Sequence, residues 1–243
     1  MLAVGATLSA AFSQLNQHKL AFLRILLIPM LVQLVIGLFT IEAPSISSDL
    51  ISGVIAVLLN ILILISWYRY VFGTSYERPW AHWRVGNILR VFWAMLKMSL
   101  LMLVPLVLGV LIWVFGYESQ SHVVFLLASV VGLASIGWVI FVTIRLVLYL
   151  PAIALGETVS LRQAFAKTKP YAGSIFWVLF AAMAILLLAS VVMAGIIFVA
   201  ILASQGHIFV VLSCSIILQA VLTAYWLAVN AEIYRALIVE AVQ

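Results

Sequence analysis

Side chains that could carry acid–base, metal or nucleophilic chemistry are few in this chain, and their spacing assigns them none of it. The four histidines are scattered at His18, His82, His122 and His207. No two stand at metal-ligand spacing, and none sits beside a nucleophile it could activate. Glu118 and His122 form an i, i+4 pair, but a solvated hairpin accounts for it better than a bound metal does. There is no Gly-rich phosphate loop, and no intramembrane His–Glu or Asp pair of the kind a membrane metalloprotease uses. Cys214 is alone, so an intrachain disulfide is impossible. The expectation is a protein without catalytic residues, metal or cofactor, and so not an enzyme.

What remains is polarity placed inside apolar runs. Gln33, Asn60 and Gln219 fall near the centres of three such runs. Amides there join helices through hydrogen bonds worth about 0.6–2 kcal/mol, or else line a site for a polar substrate. Asn230 and Glu232 lie near the end of the last run, and Glu232 stands one turn from Arg235, which predicts a local ion pair. No run carries an ionisable group near its midpoint, where proton- or cation-coupled transport needs one. Pro29 and Pro105 interrupt two runs, and breaks of this kind can line sites.

The elements that position these groups follow from composition. Of 243 residues, 67% are apolar and only 8% charged, with mean hydropathy +1.32. A soluble domain is about 45–50% apolar and about 25% charged, so the charged shell of a soluble fold is missing. A cytoplasmic enzyme, a secreted domain and a disordered regulator are thereby excluded. A membrane-spanning helix needs about 20 apolar residues, and six runs qualify. They cover about Leu20–Ile41, Leu50–Phe72, Phe92–Phe115, Val123–Leu148, Ile175–Ala203 and Ile208–Tyr234. The last two share the stretch from Pro170 to Ala231, which has no Asp, Glu, Lys or Arg and is divided at Ser204-Gln205-Gly206-His207. The predicted fold is an all-α polytopic membrane protein, a single domain spanning 1–243. No cleavable signal is expected at its start: the first charge is Lys19, the apolar run continues to Ile41, and Pro44 follows.

Charge orients it. The 12 Lys and Arg give a net charge of +5 against 7 Asp and Glu. All 12 fall on the side of the connections after spans two and four, or at helix ends facing that side; the other side has none and carries Glu42, Asp49 and Glu118. The positive-inside rule then puts both termini in the cytoplasm, and nucleic acid is not the expected partner.

The two long connections are themselves patterned. Val85, Ile88, Leu89, Phe92 and Leu96 share one helical face opposite Arg84, Asn87, Arg90 and Lys97, with Pro79 suited to a first turn. Ser160-Leu161-Arg162-Gln163 is a capping-box pattern, after which Leu161, Ala164, Phe165 and Thr168 oppose Arg162, Lys167 and Lys169. Both segments are expected as short interfacial helices, the alternative being a cytoplasmic extension of the next spanning helix. Their basic residues Arg84, Arg90, Arg162, Lys167 and Lys169 would meet lipid phosphates, each adding about 1 kcal/mol at an anionic surface. Trp80, Trp83, Trp93, Tyr171 and Trp177 flank them as interfacial anchors do. A repeat is also visible. Leu8, Ala11, Phe12 and Leu15 match the spacing of Leu161, Ala164, Phe165 and Thr168, and Trp67-Tyr68-Arg69, Thr143-Ile144-Arg145 and Ile233-Tyr234-Arg235 end alternate spans. The unit is a surface helix followed by a transmembrane hairpin, used three times.

One stretch carries a family likeness. Arg145-Leu146-Val147-Leu148-Tyr149-Leu150-Pro151-Ala152-Ile153-Ala154-Leu155-Gly156-Glu157, then Ser160-Leu161-Arg162-Gln163-Ala164-Phe165, resembles the membrane domain fused to some glycerophosphodiester phosphodiesterases. It is similar also to free-standing six-helix bacterial inner-membrane proteins of this length. The phosphodiesterase residues of those proteins lie in a separate soluble domain, so the resemblance implies a bacterial inner-membrane module concerned with lipids and no catalysis. The expected function is binding or moving a lipid or amphipathic substrate, with anionic lipid as partner; the alternatives are an accessory or assembly subunit of a membrane complex or a homo-oligomer, and a small-solute channel or transporter past Gln33, Asn60 and Gln219.

Overall fold

The computed structural model describes residues 2–42, 45–73, 84–119, 121–203 and 208–242. Among them the chain is helical, without a strand. The expectations placed on Pro79, Trp80, Trp83 and the Ser204–His207 division lie outside the described residues. Nine α-helices follow in order: α1 Val4–Gln17, α2 Lys19–Glu42, α3 Ile46–Val71, α4 Val85–Glu118, α5 His122–Leu146, α6 Tyr149–Leu155, α7 Leu161–Thr168, α8 Ala172–Ala203 and α9 Ile208–Val242. Six of these elements are long and apolar enough to cross a membrane, so the chain is a multi-pass membrane protein. They pair as hairpins α2/α3, α4/α5 and α8/α9.

Local chemistry explains the ends. Ser45 caps α3 by accepting from the Ser48 amide at 3.0 Å, while its own amide donates to the Ser48 hydroxyl. Ser160 caps α7 by accepting from the Gln163 amide at 3.2 Å, and its amide donates to Gln163 Oε1 at 2.8 Å. Gly156 ends α6 at φ +94°, a left-handed conformation that a side chain would strain. Pro29 and Pro105 sit inside α2 and α4, and neither ends its helix.

The core lies toward the helix ends that carry Arg69, Arg145 and Arg235, here termed the basic end. Trp67, Ile65, Ile175, Ile233, Val142 and Leu146 are fully buried there. Toward the opposite end α4, α5 and α8 turn large apolar side chains outward, among them Phe115, Val123, Leu187 and Val191. That is the surface expected where lipid, rather than protein, is the neighbour. The α4/α5 hairpin is close-packed on itself: a Cβ on Gly109 would overlap the Ser135 hydroxyl, and one on Gly116 would overlap Ala128. The Trp138 indole N–H donates to the Leu101 carbonyl at 3.0 Å across the same pair.

Two expectations are corrected. The segment carrying Arg84 and Arg90 is not a separate interfacial helix. It is the start of α4, whose 34 residues run unbroken for about 51 Å at 1.5 Å per residue, against a hydrocarbon core of about 30 Å. Of the face chosen by pattern, Ile88 packs against the core, but Val85 and Leu89 do not. Val85 is 79% exposed and Leu89 52%, whereas Val91 and Ala94 are buried. A spanning helix is apolar on every side, so moment alone cannot say which face meets protein. The second segment does form its own helix, α7, with Ala164 and Thr168 buried and Arg162, Lys167 and Lys169 exposed. After α5 the chain turns at Val147 and Leu148. It forms α6, which buries Tyr149, Pro151, Ala152 and Ala154 against α3, α4 and α9.

The repeat has a structural counterpart. α1 and α7, each with a fully buried central alanine (Ala11, Ala164), lie ahead of the first and third hairpins. α1 packs on α8 and α9, and α7 packs on α5. In cyclic order, each surface helix therefore rests on the hairpin preceding its own.

Candidate functional site

Three arginines at equivalent helix ends join the hairpins to one another. The Arg69 Nε–H donates to the Ala154 carbonyl at 3.0 Å, reaching from the first hairpin to the extension of the second. The Arg145 guanidinium, on the second, lies 5.6 Å from the ring centre of Phe165, which leads into the third. The Arg235 guanidinium, on the third, lies 5.8 Å from the ring of Phe72 at the end of the first. Such contacts are worth about 0.5–2 kcal/mol each, more when desolvated. The Thr168 hydroxyl, fully buried, donates within reach of the Arg145 carbonyl at 3.0 Å and ties α7 to the end of α5. The Arg145–Glu157 stretch is thus a clamp, held by Arg69 on one side and by the Tyr234 hydroxyl, 2.8 Å from Glu157 Oε1, on the other.

Between α1, α2, α8 and α9 runs an apolar groove of about 450 Å³, partly open. Leu23, Leu26, Leu186 and Ile217 are among its walls, and Lys19 lies at its basic end. From Lys19 to Met30, both on its wall, α2 rises about 16 Å at 1.5 Å per residue. Tyr225 also lines the groove, its ring 4.9 Å from that of Phe12 and its buried hydroxyl without a hydrogen-bond partner among the described residues. Such a hydroxyl costs about 1–3 kcal/mol when left unmet.

The groove adjoins a second, much smaller cavity at mid-depth, and Leu26, Met30 and Ala220 line both. Gln33, Asn60 and Gln219 all face this cavity, with Thr223 and Pro29. Three amides from three different helices therefore meet at one point. Its volume of about 10 Å³ is close to what one water needs, roughly 10–15 Å³.

The remaining residues marked by sequence fall as follows. Glu232 and Arg235 form an ion pair at 2.9 Å on one helical turn, and the Asn230 amide donates to the Trp226 carbonyl at 2.8 Å. Asn230 and Glu232 are buried on α9, whereas Arg235 is exposed. Arg84, Arg90, Arg162, Lys167 and Lys169 are all on the surface, Arg84 at the N-cap of α4, Arg90 on α4 and the others on or just after α7. Of these five, Lys167 lines a cavity, one of about 240 Å³ formed by α6, α7, the turn after it and α9. The groove was not visible in sequence: Lys19 reads as a topology charge, and Tyr225 is one more aromatic in an apolar run. Among the described residues no group of three His, Cys, Asp or Glu could hold a metal. Compared with protein-family models, with curated proteins and with solved structures, the chain matches none.

Proposed function

We propose that this is a non-enzymatic protein of a bacterial inner membrane, with both termini cytoplasmic, that binds or moves a lipid or other amphipathic molecule. The observation that carries the reading is the groove between α1, α2, α8 and α9. It is large enough for an acyl chain, apolar along its walls, partly open, set between membrane-spanning helices, and lined at one end by a cation, Lys19. An amphiphile needs these features together: a slot for the chain and a charge for an anionic head at membrane-surface depth. The 12 basic residues gathered on one side support the orientation, and the lipid-related likeness of the Arg145–Phe165 stretch supports the substrate class. The amides support a polar contact for the chain rather than a pore, because the cavity where they meet has room for about one water.

Native mass spectrometry after lipid-preserving extraction tests this reading. Ala189→Trp fills the groove wall, and Val130→Trp places the same bulk on the exposed face of α5. The first is expected to strip retained lipid and the second to leave it. Equal lipid on all three proteins, or a stoichiometric protein partner in place of lipid, contradicts the proposal.

A further inference from the structure

A separate cavity at the basic end has the chemistry of a headgroup site. It measures about 240 Å³ and lies between α6, α7 and α9. Its floor is apolar, built by Leu148, Ala152, Val159 and Leu237, and its polar wall carries Glu157, Lys167 and Tyr234. Lys167 and Glu157 line this one cavity without pairing. Among the described residues the carboxylate–cation pair at this end is Glu232 with Arg235. Glu157 is instead oriented by Tyr234, whose buried hydroxyl donates to Oε1 at 2.8 Å. That leaves Oε2 for a second donor.

We infer that this cavity binds the zwitterionic head of a membrane lipid, a phosphate esterified to a primary amine, with the phosphate on Lys167 and the ammonium on Glu157. An anionic head would meet Lys167 but bring its charge against the Glu157 carboxylate. A trimethylated amine has the right charge but no N–H to give Glu157, and so lacks the charge-assisted hydrogen bond that a primary ammonium makes. A soluble phosphoamine shares this chemistry. The apolar floor favours a head that arrives with glycerol and acyl chains attached. The site is separate from the apolar groove and does not depend on its being occupied.

The test is a titration of the delipidated full-length protein, followed by native mass spectrometry. The ligands are phosphatidylethanolamine, phosphatidylcholine and phosphatidylglycerol with identical chains, and soluble glycerophosphoethanolamine as competitor. Phosphatidylethanolamine should bind about tenfold tighter than the other two lipids. Glu157→Gln, which still accepts from Tyr234, should abolish its advantage over phosphatidylcholine. Lys167→Gln should weaken both, and Lys167→Arg should restore them. The preference should persist in Ala189→Trp, whose groove is blocked. Equal binding of the amine and trimethylamine lipids, a preference that survives Glu157→Gln, or one lost with the groove each overturns the inference. Glycerophosphoethanolamine competing as strongly as the lipid overturns its assignment to the membrane. Unfolding curves of the Glu157→Gln and Lys167→Gln proteins should overlay the wild type; a large loss of stability would instead mark the two groups as structural and overturn the site.

Discussion

The guanidinium of Arg235 lies 5.8 Å from the ring centre of Phe72, and the neighbouring Tyr234 meets the same ring edge-on at 5.3 Å. The last hairpin is thereby fastened to the end of the first. With Arg69 on Ala154 and Arg145 on Phe165, the three hairpins close a ring at the basic end. Arginines whose first reading is topological thus also hold the bundle together.

Phe72→Leu keeps apolar bulk and removes the ring face. It should cost about 1 kcal/mol of stability, as should Arg235→Gln, and the double variant should cost less than their sum by about 0.5–1 kcal/mol. Reversible unfolding in mixed micelles measures all three. Strict additivity would show that the guanidinium and the ring do not couple.

Gly109→Ala should destabilise by about 1–3 kcal/mol, because the new Cβ lies 2.7 Å from Ser135 Cβ and overlaps the hydroxyl. Removing the obstacle with Ser135→Gly in the same chain should recover most of that loss. Failure of the second change to rescue the first would place the strain elsewhere.

Each of Gln33→Leu, Asn60→Leu and Gln219→Leu should cost about 0.6–2 kcal/mol. Because all three line one cavity, pairs of these changes should be non-additive. Three silent substitutions would show that the amides face lipid and bridge nothing.

The six spans were legible because apolar length is a one-dimensional property: no soluble fold could bury the run from Pro170 to Ala231. The cap at Ser160 and the Glu232–Arg235 pair were legible for the same reason, since both partners lie within one helical turn. The packed face of α4 was not, because Val85 and Val91 are equally apolar and only the neighbouring hairpins decide which is buried. The amides were recognised one by one, but their meeting depends on how α2, α3 and α9 cross. The groove depends on α1 folding back beneath the last hairpin, a contact between residues some two hundred positions apart for which the sequence carries no local signal.

Orientation is tested by accessibility. In a Cys214→Ser background, Ser47→Cys and Ser119→Cys should react with an impermeant thiol reagent applied outside intact cells, and Gln163→Cys should react only after permeabilisation. Outside labelling of Gln163→Cys alone would invert the topology.

The central claim, that an acyl chain occupies the groove between α1, α2, α8 and α9, is tested most directly by photo-crosslinking in native-like membranes. A phospholipid with a diazirine in its acyl chain is activated, and its adducts are mapped to single residues. Adducts should concentrate on groove residues such as Leu23, Leu186 and Ile217, and Ala189→Trp should remove them while labelling of the outer α4/α5 face stays constant. Adducts spread evenly over the apolar surface, with no excess in the groove and no response to Ala189→Trp, would contradict it.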